Sequence, residues 1–588
     1  MRRVERWVLA VFLAASVLAP IAREASGATA AVVTRGPYLQ LGTTTSATIR
    51  WRTDAATPSR VRYGLAQGSL SGTADVATST TEHVVTVAGL VPDTTYYYSV
   101  GTPTETLAGG DSTYFFHTHP FAGSVGPIRI WVIGDSGTAN AAAQAVRNAY
   151  LTFTGSRATD AWLMLGDNAY STGTDAEYQS AVFNMYPTLL RNTFLWPTLG
   201  NHDTAGSSNP PAGLPYYAMF TLPTNGEAGG LPSGTEDYYS FDRGNVHFVC
   251  LDSMTSDRSP TAPMATWLRN DLAATTQDWI IAFWHHPPYS KGSHNSDTES
   301  QLIEMRQNFL PILEDYGVDL ALTGHSHSYE RSYLLDGHYG SSTTLTSSMI
   351  KDSGSGRPSE TGAYQKPSSG LAPHEGAVYA VAGSSGQTSG GTLNHPAMFI
   401  SLNQLGSMVL DVDGNRLDAK FVRETGAIAD SFTMIKGGPP ATPTPTPTAA
   451  APTATRTPTR TPTAAPPTAT PTRTATAIPP TATRTRTPTP VPPVLPAAPT
   501  SLVATAISRN RIDLAWTDNS GNETGFRIER ARNGGAWSQI ATTGANTTAY
   551  SNTSGLQPGK TYSYRVLAFN GGGSSAWSNT AAATTPKR

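Results

Sequence analysis

The chain has 588 residues, 14% of them charged and 38% hydrophobic, with a formal net charge of −2. That length exceeds what one hydrophobic core usually serves and predicts several domains. With charge near zero and no Lys/Arg cluster beside the motifs described below, the electrostatic footprint of a duplex nucleic-acid binder is missing, so no nucleic-acid partner is expected.

The N-terminus carries Arg2, Arg3 and Arg6, then an apolar stretch from Trp7 to Ile21, then small residues around Ala25 to Ala31. This is the layout of a secretory signal peptide, taken as residues 1–30 with cleavage near Ala28 or Ala30. An uncut signal anchor is the alternative, because about 15 apolar residues are marginal for spanning a bilayer. No later segment reads as transmembrane, so the expectation is a secreted or cell-surface protein with no stable membrane span after cleavage. Cys250 is the single cysteine. It sits in the apolar run Val246 to Leu251 and reads as a buried small hydrophobe; a domain of a few hundred residues can be stabilised by burial without disulfides.

Residues 31–121 and 499–588 share a pattern. Leu90-Val91-Pro92 followed by Tyr96, Tyr98 and Val100 recurs, at the same spacing, as Leu556-Gln557-Pro558 followed by Tyr562, Tyr564 and Val566. An alternating strand ending in tryptophan precedes each copy, with Ile49 and Trp51 in the first and Ile512, Leu514 and Trp516 in the second. Period-two alternation with short turns indicates β-sandwiches of roughly 90 residues. Both segments resemble fibronectin type III domains, and the expectation for each is a structural spacer, with attachment to a polymer or surface through the C-terminal sandwich as a second role. Residues 438–498 are dominated by Pro, Thr, Ala and Arg. They cannot bury a core and should form a semi-rigid, extended linker.

Residues 122–437 alternate apolar strand-like runs (Ile128 to Ile133, Trp162 to Leu165, Thr193 to Leu199, Trp279 to Trp284, Leu320 to Leu322) with helical stretches such as Ala141 to Phe153 and Glu299 to Tyr316. Nearly continuous apolar strands suggest an α/β sheet covered on both faces. Five short blocks follow these strands: Asp135-Ser136-Gly137, Gly166-Asp167-Asn168-Ala169-Tyr170, Gly200-Asn201-His202-Asp203, His285-His286-Pro287 and Gly324-His325-Ser326-His327. Each ends an apolar run with metal-ligand residue types, at the strand ends where α/β sheets build sites. Roughly seven ligands, one of them a shared carboxylate, are what two cations about 3.5–4 Å apart need in order to clamp one phosphate.

The order and content of the blocks resemble the purple acid phosphatases within the calcineurin-like metallophosphoesterases. Tyr329-Glu330-Arg331, Tyr239-Ser240-Phe241-Asp242 and Gly376-Ala377-Val378-Tyr379 extend the resemblance over nearly all of residues 31–437. It implies a metallophosphoesterase sandwich of two mixed sheets flanked by helices. It also implies that Asp135, Tyr170 and His327 hold a first metal, that Asp167 bridges, and that Asn201, His285 and His325 hold a second. Phenolate and carboxylates favour Fe(III) in the first position; the imidazoles and amide suit Zn, Fe(II) or Mn(II) in the second. Tyr170 directs the reading to the purple subgroup.

His202 and, in a loop of less regular pattern, His294 match substrate-side histidines that protonate the leaving group or stabilise charge; Asn201 would help to position the substrate. The resemblance also implies His285 rather than His286 as ligand, since the family motif places the ligand two residues before a proline, here Pro287. Asp203 is expected to orient His202 or a metal ligand, and His83, His117, His119, His247, His338, His374 and His395 to be structural or exposed. The stretch Gly340 to Gly370 reads as a long loop near the site mouth.

The implied reaction is in-line attack of a metal-activated hydroxide on phosphate monoesters, an acid phosphatase activity. Two alternatives stay open on sequence: a phosphodiesterase or nucleotidase using the same metals, and a surface-binding or matrix-binding protein with a vestigial phosphatase domain.

Overall fold

The computed structural model describes residues 30–209, 213–438, 496–532, 535, 537–570 and 573–587. The expected signal peptide, Ala30 apart, and most of the expected linker lie outside the described residues. Among those described, no helix is long and apolar enough to cross a membrane. The chain divides into two compact units, one ending at Thr446 and the other beginning at Pro447.

In the first unit, strands Val33–Gln40, Ser46–Gly64, Gly72–Ala88, Thr95–Gly101, Thr106–Gly109 and Phe115–His117 form an antiparallel N-terminal sandwich. The repeated tyrosine explains its corner. Val91 N–H donates to Tyr96 Oη at 3.0 Å, and in the second unit Gln557 N–H donates to Tyr562 Oη at 2.8 Å, the same five-residue closure after Leu-x-Pro. Tyr98 and Trp51 are buried, as are Tyr564 and Trp516. The second unit has its own core, built on Ile512, Leu514, Trp516, Phe526 and Val566.

Behind the N-terminal sandwich lie two seven-stranded mixed sheets. In one, Ile128–Ile133, Ala161–Met164 and Leu195–Pro197 run parallel, and the meander Gly406–Asp413, Arg416–Arg423, Ile428–Lys436 continues the sheet from Ile128–Ile133. In the other, Val246–Cys250, Trp279–Phe283, Leu320–Thr323 and Val378–Ala382 run parallel. Side-chain alternation sorts this second sheet's faces. Phe248, Ile281, Leu322 and Ala380 pack into the core shared with the first sheet, whereas Val249, Ile280, Ala282, Ala321 and Val381 pack on the other side with residues of helices Pro263–Ala274 and Leu310–Asp315. Both faces of the central strands are therefore covered, which is why their sequences read as unbroken apolar runs.

The expected helix from Glu299 to Tyr316 forms with an interruption: Ser300–Glu304 and Leu310–Asp315 are α-helical and Met305–Phe309 makes a wider π turn between them. The glycine- and serine-rich stretch from 340 to 370 is not one long loop. Ile350–Asp352 pairs with Leu334–Leu335, and Tyr364–Lys366 adds a parallel edge strand beside Ile428–Lys436. Ser342 N–H and Oγ both donate to Asp297, at 2.7 and 2.5 Å. Cys250 is buried and free.

Candidate metal centre

Five strand ends deliver the candidate residues to one place. Asp135 follows Ile128–Ile133, Asp167 and Tyr170 follow Ala161–Met164, Asn201 follows Leu195–Pro197, His285 follows Trp279–Phe283, and His325 with His327 follows Leu320–Thr323. The glycines before Asn201 and His325 are required by close approach. A Cβ on Gly200 would stand 2.2 Å from Asp167 N and 2.3 Å from Asp167 Oδ1, and one on Gly324 would stand 2.5 Å from Asp135 Oδ2. These two strand ends thus pack on a neighbouring loop's carboxylate. Asp135 (φ 54°), Asp167 (φ 52°) and His325 (φ 65°) are left-handed although none is glycine, a conformation that costs free energy and clusters at functional sites.

The side chains converge on two adjacent points. Around the first, Tyr170 Oη lies 2.9 Å from Asp167 Oδ2, 3.3 Å from Asp135 Oδ1 and 3.2 Å from His327 Nε2. Around the second, Asn201 Oδ1 lies 3.0 Å from His285 Nε2 and 2.9 Å from His325 Nδ1, and His285 Nε2 lies 3.5 Å from Asp167 Oδ1. The two oxygens of Asp167 therefore face different points.

Surrounding contacts fix which ring nitrogens point inward. His285 Nδ1 sits 2.8 Å from the Leu165 carbonyl and donates to it, which turns Nε2 inward. His325 turns Nε2 to Glu299 Oε2 at 3.4 Å, leaving Nδ1 inward. His327 Nδ1 lies 3.0 Å from Ser389 Oγ. The second point is consequently lined by an amide oxygen, a carboxylate oxygen and two imidazole nitrogens. A cation satisfies such a set, and the first point's phenol, carboxylates and imidazole have the same character. The donors present thus fit two metal ions.

Electrostatics agree. Burial, reinforced by the charges of Asp135 and Asp167, drives the Tyr170 phenol well above its ordinary value, so it ionises only beside a strong positive charge. Burial raises Asp167 despite the pull of His285. Burial lowers His325 to about 3 and so keeps its ring neutral, as a ligand must be.

His286 stands beside this set, close enough to His285 and His325 for the three rings to share an ion. Its Nδ1 lies 2.8 Å from Ser253 Oγ, and its ring stands 4.3 Å from that of His325. His202 is anchored through Nδ1 to the Ser171 carbonyl, 2.8 Å away, with its ring 4.4 Å from Tyr170 and Nε2 3.9 Å from Asp167 Oδ2. His294 lies over the opposite side, 3.7 Å ring to ring from His325, with Nδ1 2.8 Å from Glu299 Oε2. The two substrate-side candidates thus flank the two points.

Asp203, for which ordering His202 or a metal ligand is the expectation, ties two ligand loops together, accepting from Asn168 N–H at 3.0 Å, Gly200 N–H at 2.9 Å and Tyr178 Oη at 2.7 Å. Burial and the charge of Asp167 raise it to about 7. Glu299 is the residue that sequence reasoning passed over: it holds both His294 and His325, and hydrogen bonds from His325, Asn295 and His294 outweigh its burial to bring it down to about 2. Read as a helix start, it gave no signal of this second contact.

Residues 128–329 match the family model for calcineurin-like phosphoesterases, residues 34–118 that for the purple acid phosphatase N-terminal domain, and residues 497–584 that for fibronectin type III domains. Purple acid phosphatase 15 of Arabidopsis thaliana is 30% identical over 282 residues, covering 42% of this chain and 49% of the relative. Probable purple acid phosphatase 20 of the same plant is 29% identical over 301 residues, covering 48% and 65%. The chain thus spans between about half and just under two thirds of the length of these relatives. The structure of purple acid phosphatase PPD1 from yellow lupin (Lupinus luteus) seeds shares the fold, with a TM-score of 0.55 at 18% identity, over 68% of this chain and 75% of that one.

Proposed function

We propose, for a chain that belongs to the purple acid phosphatases within the calcineurin-like phosphoesterases, that it is a secreted enzyme hydrolysing phosphate monoesters at two metal ions. The observation that carries this reading is the pair of lone-pair clusters sharing Asp167, because a lone structural cation would need no such bridge. Asp135, Tyr170 and His327 would complete the first position and Asn201, His285 and His325 the second. The first set suits Fe(III), and the second Zn, Fe(II) or Mn(II). Bound there, the cations would polarise the phosphoryl oxygens and supply a water acidic enough to react near or below neutral pH.

The chain's own residues would do the rest. Asn201, with its amide oxygen turned to the second position, has an NH2 group to offer a phosphoryl oxygen. His202, held at Nδ1 by Ser171, presents Nε2 on the Asp167 side, where a proton can pass to the departing alkoxide. His294, braced by Glu299, closes the opposite side and would bind a phosphoryl oxygen. Export rests on the signal-like residues 1–30.

The test is turnover of a chromogenic phosphomonoester and the matching diester from pH 4 to 9, with Asp167→Asn as control. Monoester turnover that vanishes with the bridging carboxylate, together with a fall in bound metal, is expected. Turnover that survives the substitution sinks the proposal, and a preference for the diester replaces the substrate.

A further inference from the structure

We infer that the N-terminal sandwich is a working part of the catalytic device, with Arg35 and Arg52 acting as positioning residues for His202. The inference rests on the role proposed for His202 and extends it to a domain whose expected task was spacing.

Arg35, whose side chain has no exposed surface, donates from Nη2 to Asp175 Oδ1 at 2.8 Å and from Nε to Gln179 Oε1 at 2.7 Å. Arg52 takes the same carboxylate with both terminal nitrogens, at 2.9 and 2.5 Å. A buried guanidinium needs its anion, and a two-pronged grip fixes direction as well as distance. Both arginines belong to the sandwich, and both act on one short helix, Asp175–Tyr178, in the catalytic domain.

Two other side chains of that helix, Glu177 and Tyr178, hold loops of the metal centre. Glu177 gathers the preceding loop by accepting from the N–H groups of Ser171 at 2.7 Å, Thr172 at 3.2 Å and Thr174 at 2.9 Å. Hydrogen bonds from Thr174, Ser171 and Thr172 outweigh burial and bring Glu177 down to about 2, so it is a full anion in this role. Tyr178 Oη donates to Asp203, the residue that ties the Asn168 and Gly200 loops. The loop gathered by Glu177 carries the Ser171 carbonyl, the only hydrogen-bond partner that the described residues give the His202 ring. Arg35 and Arg52 thus hold Asp175, the helix joins Asp175 to Glu177, Glu177 holds Ser171, and the Ser171 carbonyl holds His202.

Docking of the sandwich does not depend on this clamp. Tyr38 Oη donates to the Met219 carbonyl at 2.8 Å, Thr221 N–H donates to Gln40 Oε1 at 3.0 Å, and Tyr98 Oη donates to the Arg191 carbonyl at 2.9 Å. The arginine pair therefore serves placement of the helix rather than attachment of the domain.

The experiment is a double-mutant cycle on the full, metal-loaded chain. Arg52→Gln, and Arg35→Met with Arg52→Gln, are each measured with His202 intact and with His202→Ala. Arg60→Gln is the control, since its partner Asp75 lies within the sandwich. Thermal melts and metal analysis accompany each variant, and Arg52→Gln alone covers the case in which loss of Arg35 prevents folding. Expected is a fall of about tenfold in kcat/KM with His202 present, weighted toward kcat, and less than about twofold in the His202→Ala background. Arg60→Gln should leave kcat/KM unchanged. Equal losses in both backgrounds, or no loss in folded protein, overturn the inference and leave the role of His202 standing. A His202→Ala variant with full turnover overturns that role and the clamp together.

Discussion

His247 gives a prediction about stability that needs no metal. It lies fully buried in strand Val246–Cys250, with Nδ1 2.7 Å from Asp242 Oδ1 and Nε2 2.9 Å from Asp271 Oδ2. Burial alone would strip the proton, but the hydrogen bonds and charges of the two carboxylates outweigh it and raise the ring from 6.5 to about 9. Because the folded value lies above the unfolded one, the stabilisation is complete below pH 6.5 and is lost as pH rises through 9. A shift of that size corresponds to about 3 kcal/mol at 1.36 kcal/mol per unit, an order-of-magnitude figure. The comparison is urea unfolding of the wild type and His247→Gln, followed by tryptophan fluorescence between pH 6.5 and 10. Groups that titrate alike in both proteins cancel in the difference. The wild type's advantage should shrink by about 3 kcal/mol across that window. An advantage that stays constant with pH would show that the ring is neutral in the folded protein and would refute the reasoning.

Gly200→Ala should leave a folded protein that binds little metal and turns over no phosphomonoester, because the new Cβ meets Asp167 at 2.2 Å on its backbone and 2.3 Å on its carboxylate; normal metal content would contradict the packing argument. Asp430→Asn removes the anion that Arg331 Nε and Nη2 hold at 2.6 and 3.0 Å with both side chains fully buried, and should cost about 3–5 kcal/mol in a thermal or urea melt. A loss below about 1 kcal/mol would mean that the pocket hydrates. Deleting residues 439–588 should leave kcat/KM unchanged, since all seven candidate ligands lie in the unit ending at Thr446; lost turnover would place the C-terminal sandwich within the catalytic fold.

The five blocks were legible because each couples an apolar strand to a polar residue at its end, and that coupling survives without coordinates. The sandwich repeat was legible for a similar reason: Tyr96 and Tyr562 close the same local hydrogen bond, so their spacing from Leu-x-Pro is fixed by the turn itself. What sequence could not give were contacts between residues distant in the chain. Glu299 meets His325 across 26 residues and Arg35 meets Asp175 across 140, and no local period announces either. Asp203 shows the same limit: sequence leaves His202 and a metal ligand both open as what it orders, and the contact its carboxylate makes lies at Asn168, 35 residues earlier. The stretch from 340 to 370 read as a loop because its composition suits turns, yet its short strands Ile350–Asp352 and Tyr364–Lys366 form by pairing with partners that composition does not reveal.

The strain at Asp135, Asp167 and His325 and the crowding of acceptor atoms around Tyr170 and Asn201 have one physical explanation between them. Left-handed φ values turn these residues so that their side chains leave the strand ends and meet, instead of continuing the pleat outward. Two buried carboxylates, a phenol and imidazoles gathered this way oppose folding through desolvation and strain, so the two sheets that carry them must be stable without the site's help. They are built for that: Ile128–Ile133, Ala161–Met164, Trp279–Phe283 and Leu320–Thr323 are buried at every position. A rigid sheet edge absorbs the cost that preorganised metal ligands impose, and cations bound there would return part of that cost as stability.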